Sequence, residues 1–381
     1  MNSRTTPHEA RSPVRARVDL DAIAANYVYL RDRVGPRRTV YCVVKADAYG
    51  HGAAAVARRL EREGAATFAV AQTEEGVALR RAGVAGEILL LSHSEPADLP
   101  RQRAYGLSPT LYDRAQIEEF ARATRTATEP LRAHLELDTG MGRAGIRPAE
   151  LGAVAAVLRD APGLSLAGTF ATLSAADDAS SPETARQVAG LADGIERLRG
   201  AGVDPGRAHL ANSAGILDHP STWLDAVRPG LALYGIAPSG SRDESPLRPA
   251  MTVETRVVAV RRVPSGTALG YGGQFVTARD TAVAVLPIGY HDGLRRSVSG
   301  KTAVLLRGRR APVVGSVSMD VTLVDATDTG AERGDRAVCL GSDGGGTVTA
   351  WDLARAAGTI PYEILCGIGP RVLREYSGIG S

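Results

Sequence analysis

Residues 38–50, RTVYCVVKADAYG, contain the apolar run on which the fold prediction is built. The run VYCVV ends at Lys45, and the segment over 52–64, GAAAVARRLEREG, has the apolar spacing of an amphipathic helix. A short strand that is apolar at nearly every position is typical of a parallel sheet buried on both faces. This stretch therefore predicts a strand followed by a helix, one βα unit.

The same unit recurs along the chain. Further strand-like runs are predicted over 66–72, 87–93, 107–111, 131–140, 164–173, 207–213 and 226–235. About eight strand-plus-helix units within roughly 220 residues are typical of a (β/α)8 barrel. A doubly wound open sheet is the alternative, but its usual sign, a glycine-rich phosphate turn after the first strand, is absent.

From about residue 245 the pattern changes to β-branched runs at short spacing, separated by Gly, Pro and Asp. Of these later segments, WDLARAAG alone has a helical pattern. We therefore expect a mostly-β second domain. The turn-rich segment SGSRDESP marks the boundary. The predicted parts are an arm over 1–13, a barrel over 14–240 and a mostly-β domain over 241–381.

Composition excludes several classes of protein. With 381 residues, 44% hydrophobic and 23% charged, the chain is not disordered, collagen-like or a disulfide-stapled miniprotein. A net charge of +3 with dispersed basic residues gives no reason to expect nucleic acid as a partner. The sequence has no apolar run of about 18 residues, so we expect no membrane span.

Two further expectations concern the compartment. The N-terminal residues lack the apolar segment of a secretory signal, so we expect a short disordered arm and a cytoplasmic location. The three cysteines, Cys42, Cys339 and Cys366, lack metal-binding spacing, so we expect buried, reduced thiols and no metal site.

Lys45 is the most informative candidate for chemistry, because it and Lys301 are the only lysines in the chain. Since Lys45 ends an apolar run, we expect its stem to be buried and its ammonium group to face the mouth of the barrel, where barrel enzymes place reactive groups. A half-buried lysine has a lowered pKa and is a candidate for Schiff-base formation. A structural lysine paired with Asp47 or Asp138 is the alternative.

The turns ANSAG (211–215) and RPGLALYG (228–235) each offer small residues and backbone amides at a strand end. Such turns can bind phosphate, although they are common in barrels.

The segment VVKADAYGHG (43–52) closely resembles the pyridoxal phosphate attachment segment of alanine racemases. Other blocks are similar to that family's and occur in its order: LDTGMGRAG, LANSAGIL, VRPGLALYGIAP, LGYGGQF, LPIGYHDGLRR, VGSVSMD and IPYEILC. The resemblance runs from about residue 18 to about residue 375. It implies an amino-acid racemase, with alanine as the default substrate, and a head-to-tail homodimer whose active sites are shared between subunits.

Carried over residue by residue, the resemblance implies two catalytic bases. Lys45 would hold pyridoxal phosphate covalently and act on one face of the substrate α-carbon. Tyr271, supplied by the partner subunit, would act on the opposite face.

The resemblance also implies binding roles. Arg228 would meet the pyridine nitrogen of the cofactor and keep it unprotonated, since a guanidinium does not give up its proton. Arg143 would contact the cofactor's phenolic oxygen and the substrate carboxylate. Tyr290 and Met319 would line the substrate entry from the partner chain. The remaining cofactor-binding residues, mainly around the phosphate, would be Tyr49, Asn212, Ser213, Gly230, Leu231 and Tyr362. Without the resemblance, these tyrosines would be read as turn, core or interface residues and the arginines as surface ion-pair partners.

The chain departs from the family pattern at positions that bear on function. Thr172 stands where the family has a histidine that links the catalytic tyrosine to the pyridine-contacting arginine. Unaided, a tyrosine has a pKa of about 10 and is a poor base near pH 7. Glu136 replaces a lysine that is often carbamylated, and it supplies a permanent anion. His291 and Ser318 replace an alanine and a cysteine near the entry.

These departures leave the reaction open between three hypotheses. The first is racemization of alanine. The second is a diverged pyridoxal phosphate enzyme that uses Lys45 as its main base for decarboxylation, aldol cleavage, elimination or an oxidative step. The third, a carrier of pyridoxal phosphate without catalysis, is disfavoured because the second domain and its entry residues are present.

Overall fold

The computed structural model describes residues 12–92, 94–238 and 246–378. These residues form two compact units. One contains 23–48 and 53–248; the other contains the described residues before 23, the segment 49–52 and those after 248. Most of the predicted arm over 1–13 and most of the predicted boundary segment over 239–246 lie outside the described residues.

The first unit is built on parallel strands. Its strand segments are Thr39–Val40, Cys42–Val43, Thr67–Val70, Glu87–Leu90, Leu107–Ser108, Thr110–Leu111, Leu131–Glu136, Leu164–Phe170, Arg207–His209 and Ala226–Val227. Tyr41 and Pro109 each interrupt one strand, so the ten segments make eight barrel strands. Each pairs in parallel with the next along the chain. Ala226–Val227 pairs with Thr39–Val40, so the last strand closes on the first. The predicted (β/α)8 barrel is confirmed.

Helices alternate with these strands. They are Ala53–Arg62, Thr73–Arg81, Leu99–Ala104, Arg114–Ala123, Leu151–Arg159, Glu183–Gly200 and Ser213–Asp218, with short 3-10 segments at Pro96–Asp98, Pro220–Thr222 and Leu231–Tyr234. Local sequence sets their ends: Asp113, for example, accepts the backbone N–H of Gln116 and caps the helix that follows. The helix Leu20–Val34 was not expected from the sequence, although it buries Leu20, Ile23 and Leu30 along one stripe.

The second unit is mostly β. Its strands are Arg15–Asp19, Met251–Arg256, Ala259–Val263, Ala268–Leu269, Phe275–Val276, Thr281–Leu286, Ala303–Leu306, Arg309–Pro312, Thr322–Asp325, Arg336–Asp343, Gly346–Val348 and Leu373–Ser377. Its helices are Ala350–Ala357 and Pro361–Cys366, with 3-10 segments at Tyr271–Gly273 and Arg296–Val298. The largest sheet places Arg15–Asp19 between Met251–Arg256 and Leu373–Ser377.

Two details differ from expectation. The strand Arg15–Asp19 falls within the predicted barrel range, yet it pairs with strands of the second unit. Local sequence patterns did not predict this pairing, because the partners are more than 230 residues away in sequence. Cys42 and Cys339 are buried free thiols as expected, but Cys366 is exposed at the end of its helix. Of the described helices, none is long and apolar enough to span a membrane.

Candidate active site

Lys45 lies directly after the first barrel strand and is half-buried. The next four residues, 46–49, all adopt left-handed helical backbone angles, with φ of 52°, 52°, 55° and 52°. Non-glycine residues in this conformation cost roughly 1–2 kcal/mol each. Contacts hold the turn: Glu75 accepts the N–H of Ala46 at 2.7 Å, and Asp47 accepts the N–H of Ala53 at 2.7 Å. Strain of this kind is found where a functional group must be held in place.

Arg228 follows the last barrel strand and is buried. Its Nη1 donates to Nδ1 of His209 at 2.7 Å and to that residue's carbonyl oxygen at 2.9 Å. Its Nη2 donates to the carbonyl oxygens of Ala171 at 2.8 Å and Leu210 at 3.3 Å. Within the described part of the chain Nε makes no hydrogen bond, so its N–H can donate to a bound group. Burial lowers the pKa of Arg228 to about 10, which leaves it charged at neutral pH.

Glu136 ends the fifth barrel strand and is 4% exposed. Its Oε1 accepts a hydrogen bond from the hydroxyl of Thr172 at 3.0 Å. Burial raises the pKa of Glu136, while the Thr172 hydrogen bond and the charges of Arg228 and Arg143 oppose the rise. The replaced histidine position and the replaced lysine position of the sequence pattern are therefore in direct contact.

Backbone and side-chain donors gather after the seventh and eighth strands. The Oγ of Ser213 accepts the N–H groups of Gly230 at 2.9 Å and Ala232 at 3.1 Å. Because both lone pairs of this oxygen accept hydrogen bonds, the hydroxyl hydrogen points away from these two N–H groups and can donate. Asn212 caps the short helix that begins at Ser213 by accepting the N–H of Gly215 at 2.9 Å. The predicted phosphate-binding residues of this unit thus lie together: Asn212, Ser213, Gly230 and Leu231.

The two remaining residues of the predicted phosphate site meet in the second unit. The rings of Tyr49 and Tyr362 lie with centroids 5.6 Å apart. Gly50 makes this approach possible, because a Cβ at this position would lie 2.5 Å from the carbonyl oxygen of Leu365. Burial raises the pKa of Tyr49, so its hydroxyl remains protonated and able to donate.

The other predicted residues of the second unit are exposed in the single chain. Tyr271 is 69% exposed in a turn whose flanking Gly270 and Gly272 both have a φ of +73°. Tyr290 and Met319 are 41% and 52% exposed. The N–H of Tyr290 donates to the carbonyl of Ser318 at 3.0 Å, which places the two predicted entry segments side by side. His291 is also exposed.

A group of buried polar residues inside the barrel was missed by the sequence reasoning. His209 bonds Arg228, and its Nε2 lies 3.0 Å from Nδ1 of His134. Glu87 and Tyr41 continue this group. The available signal was a histidine between two apolar residues in a predicted strand, as in LRAHLE and RAHL.

Three features of this barrel are typical of enzymes that hold a phosphorylated cofactor. They are a half-buried lysine at a strand end, a buried arginine and a cluster of groups suited to binding phosphate. Family models agree with this class and specify it. Residues 18–238 match the model "Alanine racemase, N-terminal domain", and residues 250–376 match "Alanine racemase, C-terminal domain". The chain belongs to the alanine racemase family.

Individual relatives give the same result. The chain is 41% identical to the alanine racemase of Symbiobacterium thermophilum over 96% of this chain and 97% of that protein. The solved alanine racemase of D-cycloserine-producing Streptomyces lavendulae has a TM-score of 0.91 at 37% identity, covering 97% of this chain and 98% of that one. The alanine racemase of Bartonella henselae, solved with covalently bound pyridoxal phosphate, has a TM-score of 0.88 at 31% identity, covering 96% and 100%.

Proposed function

We propose that this chain is a pyridoxal phosphate-dependent alanine racemase that interconverts L-alanine and D-alanine. The observation that carries the proposal is Lys45, held by a strained turn at the carboxyl end of a barrel strand in the same unit as the buried Arg228. Family membership over almost the whole chain supports it.

The residues present fit this cofactor. Lys45 supplies an amine for its aldehyde, and Arg228 has an unengaged Nε–H for its ring nitrogen. The hydroxyl of Ser213 supplies a donor for a phosphate, because the N–H groups of Gly230 and Ala232 already donate to its oxygen. The family pattern adds the hydroxyl groups of Tyr49 and Tyr362, whose rings are in contact within the second unit. When bound, pyridoxal phosphate withdraws electrons from the α-carbon of the amino acid and so acidifies the α-hydrogen.

The chain's own residues then move the proton. Lys45 Nζ takes the α-hydrogen on one face of the α-carbon, and the hydroxyl of Tyr271 supplies a proton on the other, with the roles reversed in the opposite direction. Arg228 does not give up its proton, so a ring nitrogen that it contacted would stay uncharged, which would limit side reactions. Arg143 orients the substrate carboxylate. Glu136 places a negative charge near both arginines.

The proposed assembly is a homodimer with shared sites. Exposure of Tyr271, Tyr290 and Met319 in the single chain supports this arrangement, because large aromatic and apolar side chains are usually covered. Mixing Lys45→Ala with Tyr271→Phe tests it. A mixed dimer with shared sites has one intact Lys45–Tyr271 pair, so about one quarter of wild-type activity is expected from random mixing. No recovery, with mixed dimers present, would contradict shared sites.

The attachment site is tested by borohydride reduction of the holoenzyme followed by peptide mass spectrometry. The chain contains two lysines, so the expected label on Lys45 is unambiguous. Lys45→Ala should abolish the label, and Lys301→Ala is the matched control that should retain it. A label that persists in Lys45→Ala would contradict the assignment.

The reaction is tested by incubating the holoenzyme with L-alanine in D2O. Loss of the α-proton, followed by NMR, together with formation of D-alanine, followed by chiral chromatography, is the expected result. One observation favours the hypothesis of a diverged enzyme. The hydroxyl of Thr172 donates to Glu136, and a threonine cannot act as an acid–base group in place of the family's histidine. Exchange without inversion, or no reaction, would favour that second function.

A further inference from the structure

A row of buried polar side chains crosses the interior of the barrel. Nη1 of Arg228 lies 2.7 Å from Nδ1 of His209, and Nε2 of His209 lies 3.0 Å from Nδ1 of His134. Nε2 of His134 lies 3.5 Å from Oε1 of Glu87. Glu87, His134 and His209 come from the third, fifth and seventh strands, which are not neighbours. Side chains of alternate strands meet in this way only inside the barrel.

The hydrogen bond from Arg228 shows which nitrogen carries the hydrogen on each ring of this row. A guanidinium can only donate, so Nδ1 of His209 must accept. His209 therefore carries its hydrogen on Nε2 and donates to Nδ1 of His134. His134 in turn carries its hydrogen on Nε2, which faces Glu87. Burial, reinforced by the nearby Arg228, lowers the pKa of His209 well below its usual value, so this histidine is neutral.

Glu87 is held as the acceptor at the far end. The hydroxyl of Tyr41 donates to its Oε1 at 2.9 Å, and Nη2 of Arg207 donates to its Oε2 at 3.3 Å. Arg207 also donates to the hydroxyl of Tyr41 at 2.6 Å. Arg132 lies 4.0 Å from Oε2. Apart from the Glu87 carboxylate, Nε2 of His134 faces no hydrogen-bond acceptor among the described residues.

We propose that Glu87 is a positioning residue for Arg228. Through His134 it fixes the tautomer of His209 whose Nδ1 accepts a hydrogen bond from Nη1 of Arg228. This bond holds the guanidinium so that its Nε faces the cofactor. The inference rests on the proposed function only in that Arg228 faces the cofactor. With the opposite tautomer, His209 would turn an N–H toward the N–H of Arg228 at 2.7 Å. That repulsion would displace the guanidinium.

The test is the tautomeric state of the histidines in the ¹⁵N-histidine-labelled holoenzyme, read by NMR. Signals are assigned by removing His134 and His209 in turn. In the wild type both should be neutral with hydrogen on Nε2. A charged ring, or hydrogen on Nδ1 of either ring, would overturn the proposal, and this reading needs no variant at Glu87.

Glu87→Gln supplies the second arm. Because Arg207 can only donate, the oxygen of the new side-chain amide should face Arg207, and its NH2 should then face His134. The expected result is a mixture of tautomers at His134 and His209, with kcat lowered roughly threefold to thirtyfold and KM changed less. Glu87→Asp keeps the carboxylate and should restore single tautomers and most of kcat. Histidine signals and kcat that both match the wild type in Glu87→Gln would overturn the proposal.

Glu150→Gln is the matched control, because Glu150 makes an exposed ion pair with Arg147 just before the helix Leu151–Arg159. Its histidine signals and kcat should match the wild type. If the wild-type protein does not racemise alanine, the proposed function fails, yet the histidine signals still decide whether Glu87 sets the tautomers.

Discussion

The hydroxyl of Thr172 donates a 3.0 Å hydrogen bond to Oε1 of Glu136. These are two of the positions at which the chain departs from the pattern of its family, and they lie at the ends of neighbouring strands, where Glu136 pairs with Phe170. The two departures therefore act as a pair. Thr172 stabilises the ionised form of a buried carboxylate that faces Arg143 and Arg228.

Replacing Thr172 by valine should shift the pH dependence of activity. Valine keeps the shape but removes the hydrogen bond that lowers the pKa of Glu136, so that pKa rises further. A hydrogen bond to a charged group is worth about 1.5 kcal/mol, close to one pH unit. The acid limb of kcat/KM should therefore move to higher pH by about one unit, measured between pH 5 and pH 9.

Thr169→Val is the matched control for this prediction. Thr169 lies on the strand Leu164–Phe170, just before Thr172, is buried, and donates to the carbonyl of Pro205 at 2.7 Å. Its loss should change stability without moving the acid limb. An unchanged pH profile in Thr172→Val would show that Glu136 does not need to be ionised for activity.

Replacing Tyr271 by phenylalanine should separate exchange from inversion. Without a proton donor on one face, inversion should fall at least about hundredfold, the usual contribution of one acid–base group. Lys45 still exchanges the α-hydrogen of one enantiomer with D2O. Parallel NMR and chiral chromatography measure both rates, and Tyr105→Phe, a partly buried tyrosine of the first unit, is the control. Equal losses of exchange and inversion would contradict a role on one face only.

Replacing Glu87 by glutamine should reduce the acid sensitivity of folding. Burial acts to raise the pKa of Glu87, but His134, Tyr41 and Arg207 lower it to about 2 from 4.5. A lowered folded-state pKa stabilises the protein above pH 4.5, and this stabilisation is lost as the pH falls toward 2. The difference in unfolding free energy between wild type and Glu87→Gln should therefore shrink by about 2 kcal/mol between pH 6 and pH 3.

Urea unfolding of the two proteins across this range measures the effect. The neutral His134 and His209 add a further loss below pH 6.5, because their lowered pKa values leave the unfolded chain binding more protons. A constant difference between the two proteins from pH 6 to pH 3 would mean that Glu87 is not held as an ion.

Replacing Ala46 by glycine should stabilise the protein. Ala46 is exposed and has a φ of +52°, where glycine carries no Cβ penalty. We expect a gain of about 1 kcal/mol in the free energy of unfolding. Ala54→Gly, in the right-handed helix that follows, is the control and should lose about 1 kcal/mol. A loss in both variants would show that the turn after Lys45 is not strained.

The active-site prediction rests on sequence blocks, which located some residues of the site but not the contacts between them. The block around Lys45 located the lysine at a strand end, and ANSAG with RPGLALYG located donors that do lie together around Ser213. The block pattern also exposed Thr172 and Glu136 as departures. It gave no indication that they bond each other, because side-chain contacts between strands depend on register.

By itself, the sequence determined the order of the eight barrel strands, the mostly-β second part and the place of Lys45, because apolar spacing and strand ends are local properties of the chain. The tertiary structure alone decided the rest. It joined Ala226–Val227 to Thr39–Val40, moved Arg15–Asp19 into the second unit and aligned Glu87 with His134. Each of these contacts joins residues far apart in sequence, and such contacts form only when the barrel closes and the sheet registers are set.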